Sequence, residues 1–129
     1  MYIFFLVGRV IFGGYFMYNG YSHFKNLANM TGYAQMKGVP LPKYAVMLSG
    51  TMLIIGGLYV VTGFLPIVGI CLLLAFLVPV TYQMHQFWNI TDPMQKLGEK
   101  INFTKNLALI GALLMMLSLT TPWIYSINF

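Results

Sequence analysis

Four stretches of this chain, at about 2–21, 44–64, 66–84 and 103–123, run for close to twenty residues each with hardly a charge among them. A bilayer core of roughly 30 Å takes about 20 helical residues to cross. Inside it every backbone N–H and C=O must be satisfied within the segment. Together these facts favour one fold class: all-α, a four-helix transmembrane bundle with short cytoplasmic interfacial helices, built as a single domain over residues 1–129. Composition agrees. At 59% hydrophobic and 7% charged, seven basic and two acidic side chains are too few to coat a soluble surface of 129 residues. The chain also opens directly in an apolar run. It has no basic leader and no small-x-small cleavage site, and it carries Arg9 within the run, so this start reads as a membrane helix rather than a signal peptide.

The connections set the topology. Gly63-Phe64-Leu65-Pro66 is so short that the second and third spans must be antiparallel neighbours, with Pro66 in a first turn where its missing N–H costs nothing. Pro79, by contrast, falls inside the third span and deprives the Ala75 carbonyl of its helical donor. Lys25, Lys37 and Lys43 lie between spans one and two, and Lys96, Lys100 and Lys105 between three and four. By the positive-inside rule both long loops are cytoplasmic and both termini outside, as in a bacterial inner-membrane protein. The net charge of +5 is therefore a loop feature. It forms no face that could track a nucleic acid.

Each long loop carries a helical signal. In the first, Thr31 is a candidate cap and Gly38 a candidate stop. In the second, Asp92 and Pro93 form an N-cap and first position, and Met94, Leu97 and Ile101 then share one face of an interfacial helix that runs toward span four. Ser49, Gly56 and Gly63 recur every seven residues, and Ala108 and Ala112 are four apart. Small residues at such spacing suit close helix packing in lipid.

Polar chemistry concentrates between Thr81 and Gly111, which holds both acidic residues, Asp92 and Glu99, with His85, Trp88, Lys105 and Asn106. His85 and His23 fall at the cytoplasmic ends of the third and first spans. Two histidines at one depth are the minimum for bis-histidine haem ligation, but histidine, tyrosine and tryptophan are also ordinary interface residues, and haem is the weaker reading. Proton handling suits the imidazole of His85 better. Arg9 lies in the apolar part of a span, where insertion costs about 2.5–3.5 kcal/mol. No span contains a carboxylate to pair with it. Its partners must come from carbonyls, hydroxyls such as Thr51, Tyr59 or Thr62, a lipid phosphate or an oxygen-rich ligand. The single cysteine, Cys71, excludes an internal disulfide or a Cys-x-x-Cys pair. The ten methionines show no repeated metal-binding spacing and read as packing side chains. No metal set, nucleotide loop or nucleophile–base pair is present.

The sequence His85-Gln86-Phe87-Trp88, followed by Asp92-Pro93, Gln95, Lys105-Asn106-Leu107-Ala108 and Gly111, resembles a block of the DoxX family. Arg9, Gly20, Gly38-Val39-Pro40 and Gly56-Gly57 extend the resemblance along the chain. Members of that family are four-helix inner-membrane proteins, some similar to membrane subunits of thiosulfate:quinone oxidoreductase. The resemblance implies an accessory subunit of a quinone-linked membrane oxidoreductase, with quinone or lipid bound near His85, Trp88, Lys105 and Asn106 and with Arg9 as a further contact. It implies membrane lipids and other membrane subunits as partners. Where many members carry a glutamate before the paired glycines, this chain has Ile54-Ile55, which removes the intramembrane ion pair. A purely structural subunit or homo-oligomer is the alternative. A small transporter is a third, weakened by the lack of a second ionisable group within the spans.

Overall fold

The computed structural model describes residues 2–127, and among these every regular element is helical. The order is α1 (Tyr2–Lys25), α2 (Leu27–Met36), α3 (Pro42–Thr62), α4 (Pro66–Met84), a single 3-10 turn (Phe87–Asn89) and α5 (Pro93–Leu117). Four of them, α1, α3, α4 and α5, are long and apolar enough to cross a membrane. They alternate in direction, so all six lysines gather at one end of the bundle and Arg9 lies toward the other.

Local signals explain most boundaries. Gly38 (φ +79) ends α2: its N–H donates to the Gln35 carbonyl, and Val39 N–H to that of Ala34, a closed C-terminal cap. Gly63 (φ +74) ends α3 by donating to the Tyr59 carbonyl, and Pro66 opens α4 after only three residues. Asp92 caps α5, its carboxylate accepting from Gln95 N–H at 3.0 Å, with Pro93 at the first position.

Two boundaries differ from expectation. Helix α2 starts four residues before Thr31, because the chain leaves α1 with only Asn26 between the two helices. The interfacial helix opened by Asp92-Pro93 runs on into the fourth span as a single α5, but it stops at Leu117 rather than near 123. Pro122 cannot continue a helix, and it disfavours α conformation at Thr121. The run beyond Leu117 stays apolar without being helical, and Trp123 turns inward to 3% exposure.

Helix α3 is central, between α1 and α4. Its contact with α1 is backbone on backbone. A Cβ added at Gly13 would lie 2.6 Å from the Gly57 carbonyl oxygen, and one at Gly20 2.6 Å from that of Gly50. The paired glycines are thus Gly13/Gly20 on α1 and Gly50/Gly57 on α3. Gly56 faces the other way, onto Gly69 and Leu73 of α4, and Gly63 is the helix stop. Ala108 is exposed and plays no part in this packing. Phe16, Leu53, Val60, Ile70, Leu73, Leu77 and Leu113 fill the core. Helix α5 leans on α4 and is the least enclosed, with 11% of its apolar window buried against 33% for α3. The outward faces carry Phe4, Ile11, Leu48, Leu114 and Met115, an apolar shell suited to lipid.

Candidate functional site

At the lysine-bearing end, three elements converge on one carboxylate. Glu99 lies near the start of α5 and faces back toward the α4 terminus. Its Oε2 accepts from His85 Nδ1 at 3.0 Å, its Oε1 accepts from the Tyr33 hydroxyl at 3.1 Å, and Lys37 Nζ stands 3.9 Å from Oε2. Tyr33 and Lys37 are one turn apart on or just past α2, with Lys37 Nζ 5.4 Å from the Tyr33 ring. Gln83 of α4 donates to the Lys37 carbonyl, tying the same corner from the other side. Burial, then the charge of Glu99 and its hydrogen bond, push the Tyr33 hydroxyl up to about 12. Tyr33 is therefore a fixed donor at neutral pH. The carboxylate orients His85 through Nδ1, which leaves Nε2 as the ring nitrogen not engaged by Glu99.

A cleft of about 200 Å³ opens beside this cluster, between α1 and α5. His85, Lys105, Asn106, His23 and Asn19 border it, over a floor that includes Phe16, Leu53 and Leu77. Asn106 is only 7% exposed, yet its side-chain amide has no hydrogen-bond partner among the described residues. Its amide is therefore open to the cleft and free to meet a polar group there. His23, 8% exposed, uses Nδ1 on the Asn19 carbonyl at 2.7 Å, and its ring packs edge-on to Phe76. Lys105 Nζ is 5.9 Å from the Tyr15 ring, within the range of a cation–π contact.

The expected site residues thus divide into three groups. His85, Lys105 and Asn106 meet at the cleft. Trp88, 45% exposed, instead joins an aromatic cluster with Tyr82, Phe87 and Phe103, whose ring centroids lie 5.3–5.9 Å apart. Arg9 lies at the far end. Its guanidinium donates to the backbone carbonyls of Ile124, Val61 and Tyr125, the last two at 3.0 Å, and stacks near Phe5 and Trp123. None of the hydroxyls considered for it, Thr51, Tyr59 and Thr62, is its partner: Thr51 donates to the Met47 carbonyl and Thr62 to that of Leu58. Arg9 is 2% exposed, so it is neither snorkelling nor facing the cleft.

His23 and His85 do border one cleft. At about 200 Å³, however, it falls below the roughly 300–1,000 Å³ of small-molecule pockets, which disfavours a haem macrocycle. Among the described residues no three His, Cys, Asp or Glu side chains approach as a metal-binding group. The cleft brings a cation, an amide and an oriented imidazole together over an apolar floor.

Glu99, Tyr33 and Lys37 are the members that sequence reading missed. The available signal was that Glu99 is the only glutamate in the chain, and Asp92, the other acid, is spent on a helix cap.

The family model for DoxX matches residues 4–86, well over half of the chain. The chain belongs to the DoxX family. The match ends one residue past His85, so Glu99, Lys105 and Asn106 are positioned by this chain's own fold and lie outside it. No curated protein and no solved structure gives a significant match. As a DoxX protein it is a membrane protein of apolar helices, and the cleft is where its polar side chains converge.

Proposed function

We propose that this DoxX protein is an accessory integral subunit of a quinone-linked oxidoreductase in the bacterial inner membrane, and that the α1–α5 cleft takes the quinone headgroup. The observation that carries this reading is Asn106, a largely buried residue whose amide makes no hydrogen bond among the described residues and opens on the same small cleft as an imidazole oriented by Glu99. The Asn106 amide donates to one ring oxygen. His85 Nε2 meets another, with the ring held in place by the Glu99 carboxylate that Tyr33 also supports. Lys105 supplies positive charge at the mouth. Bound quinone supplies the two-electron redox chemistry, and the electrons come from a partner subunit. The slight burial of α5 supports such a partner, and it equally suits the structural or homo-oligomeric alternative.

The test is equilibrium binding of a tailless benzoquinone to the purified protein in mild detergent. His85→Ala and Asn106→Leu are each expected to weaken binding about tenfold, the loss of one well-placed hydrogen bond in a dry site. Wild-type protein that binds no quinone, or variants that bind as well as wild type, leave the structural reading standing.

Orientation follows from the lysines, and the cleft faces the cytoplasm on this proposal. A C-terminal alkaline phosphatase fusion is expected to be active, and a fluorescent protein that folds only in the cytoplasm is expected to be dark at the same position. The reverse pattern would overturn the orientation.

A further inference from the structure

An open apolar groove of about 480 Å³ adjoins the cleft between α2, α3 and α4, with Leu48, Ala75 and Pro79 exposed along it. Its size is within the roughly 300–1,000 Å³ of pockets that hold small ligands. Its lining includes Val46, Met52, Ala75 and Pro79 and contains no lysine, arginine, aspartate or glutamate. Of the polar side chains on its border, Tyr33 is engaged on Glu99, Gln83 on the Lys37 carbonyl, Ser49 on the Val46 carbonyl and His23 through Nδ1 on the Asn19 carbonyl, while Asn29 is exposed at the rim. What remains for an occupant is hydrocarbon surface.

The two spaces share a wall. Met30, Tyr33, Phe76, Val80 and Met84 border both, together with His23. Met30 and Met84 reach the partition from α2 and α4, and unbranched thioether side chains adapt to a chain threaded past them more readily than branched ones. A small polar cleft with an unpartnered amide thus adjoins a larger apolar groove across a pliable partition. From this juxtaposition we infer that the ligand of the cleft is a long-chain amphiphile, and that its hydrocarbon tail occupies the α2–α3–α4 groove rather than running free in the bilayer. The inference rests on the headgroup reading of the cleft. It adds the substrate class: long-tailed quinones over short ones, with α2 as one wall of the tail site.

Chain length is therefore the readout. A tailless benzoquinone and its decyl homologue are titrated into purified protein at matched detergent concentration, with the free ligand corrected for partition into micelles. Wild type is expected to bind the decyl homologue about tenfold more tightly, from apolar area removed from solvent. Ala75→Phe on α4 and Ala45→Leu on α3 fill the groove from two sides. Each is expected to bring that ratio close to one while leaving the tailless quinone bound as in wild type, which also shows that the variant is folded. Two results would overturn the tail site while leaving the headgroup reading intact. One is a ratio unchanged in both variants. The other is a phospholipid that copurifies and is lost on filling the groove but is not displaced by the decyl homologue, which assigns the space to bilayer lipid. Wild-type protein that binds neither quinone overturns the headgroup reading and this inference with it.

Discussion

Gly57→Leu is expected to destroy the folded bundle. A Cβ at Gly57 would sit 2.5 Å from the Gly13 carbonyl oxygen and 2.8 Å from Met17 Cγ, and Gly13 makes the reciprocal approach to the Gly57 carbonyl. The obstacle is backbone on both sides, so no rotamer change relieves it and α1 must move off α3. Overpacking ordinarily costs about 1–3 kcal/mol. The loss here is set at the upper end or beyond, because separating the two helices also opens the Gly20–Gly50 contact one pair of turns away. Membrane helices have no water-driven force to hold them together, so lost close contact is not recovered by repacking. Gly14 and Gly111 have nothing within 4 Å of an added Cβ. Gly14→Ala and Gly111→Ala are therefore expected to be neutral or to stabilise by up to about 1 kcal/mol through helix propensity. Thermal unfolding in detergent, followed by circular dichroism, separates the cases. A wild-type melting temperature for Gly57→Leu would disprove the close α1–α3 contact.

That same contact marks the limit of what hydropathy reveals. The spans were legible because burying a polar backbone in lipid permits so few solutions, and Gly38, Pro66 and Asp92-Pro93 announced their boundaries. The glycine register was not. The seven-residue stripe Ser49, Gly56, Gly63 is one residue off Gly50 and Gly57, and one residue rotates a helix face by about 100°. With glycines at both 56 and 57, a sequence cannot say which faces α1 and which faces α4 until the neighbours are placed. The end of α5 was obscured for a different reason. Leu119, Trp123 and Ile124 keep the run apolar past Leu117, and only Pro122 signals that the helix cannot continue. At the candidate site, His85, Lys105 and Asn106 were visible as polar residues at helix ends. Glu99 resembles a solvated loop residue until α2 brings Tyr33 and Lys37 to it, contacts 66 positions apart in the case of Tyr33.

Arg9→Leu is expected to release the chain beyond α5. The guanidinium is the fastener for residues 121–127: Nη1 serves the Ile124 carbonyl, and Nη2 serves those of Tyr125 and of Val61 at the end of α3. Around it, Trp123 packs edge-on to Phe5 with centroids 5.4 Å apart, and Ile127 N–H donates to the Thr62 carbonyl at 2.9 Å. Leucine cannot donate, so three carbonyls lose their partner in a site that excludes water. A buried polar group left unsatisfied costs about 1–3 kcal/mol, and some relief comes as the freed segment turns toward solvent. A net loss of about 3 kcal/mol is expected. Insertion moves the other way, because leucine removes a penalty of about 2.5–3.5 kcal/mol. Membrane yield should hold while the melting temperature falls, and that divergence separates a folding defect from a targeting one. Arg9→Lys should fall between the two, since an ammonium keeps the charge but lacks the planar fork that spans carbonyls from two segments. Hydrogen–deuterium exchange over 118–127 gives the direct reading. Protection there is expected to drop in Arg9→Leu while the α1–α3 contact stays protected. Unchanged protection in Arg9→Leu would mean that Trp123 and Ile127 hold the segment without the arginine.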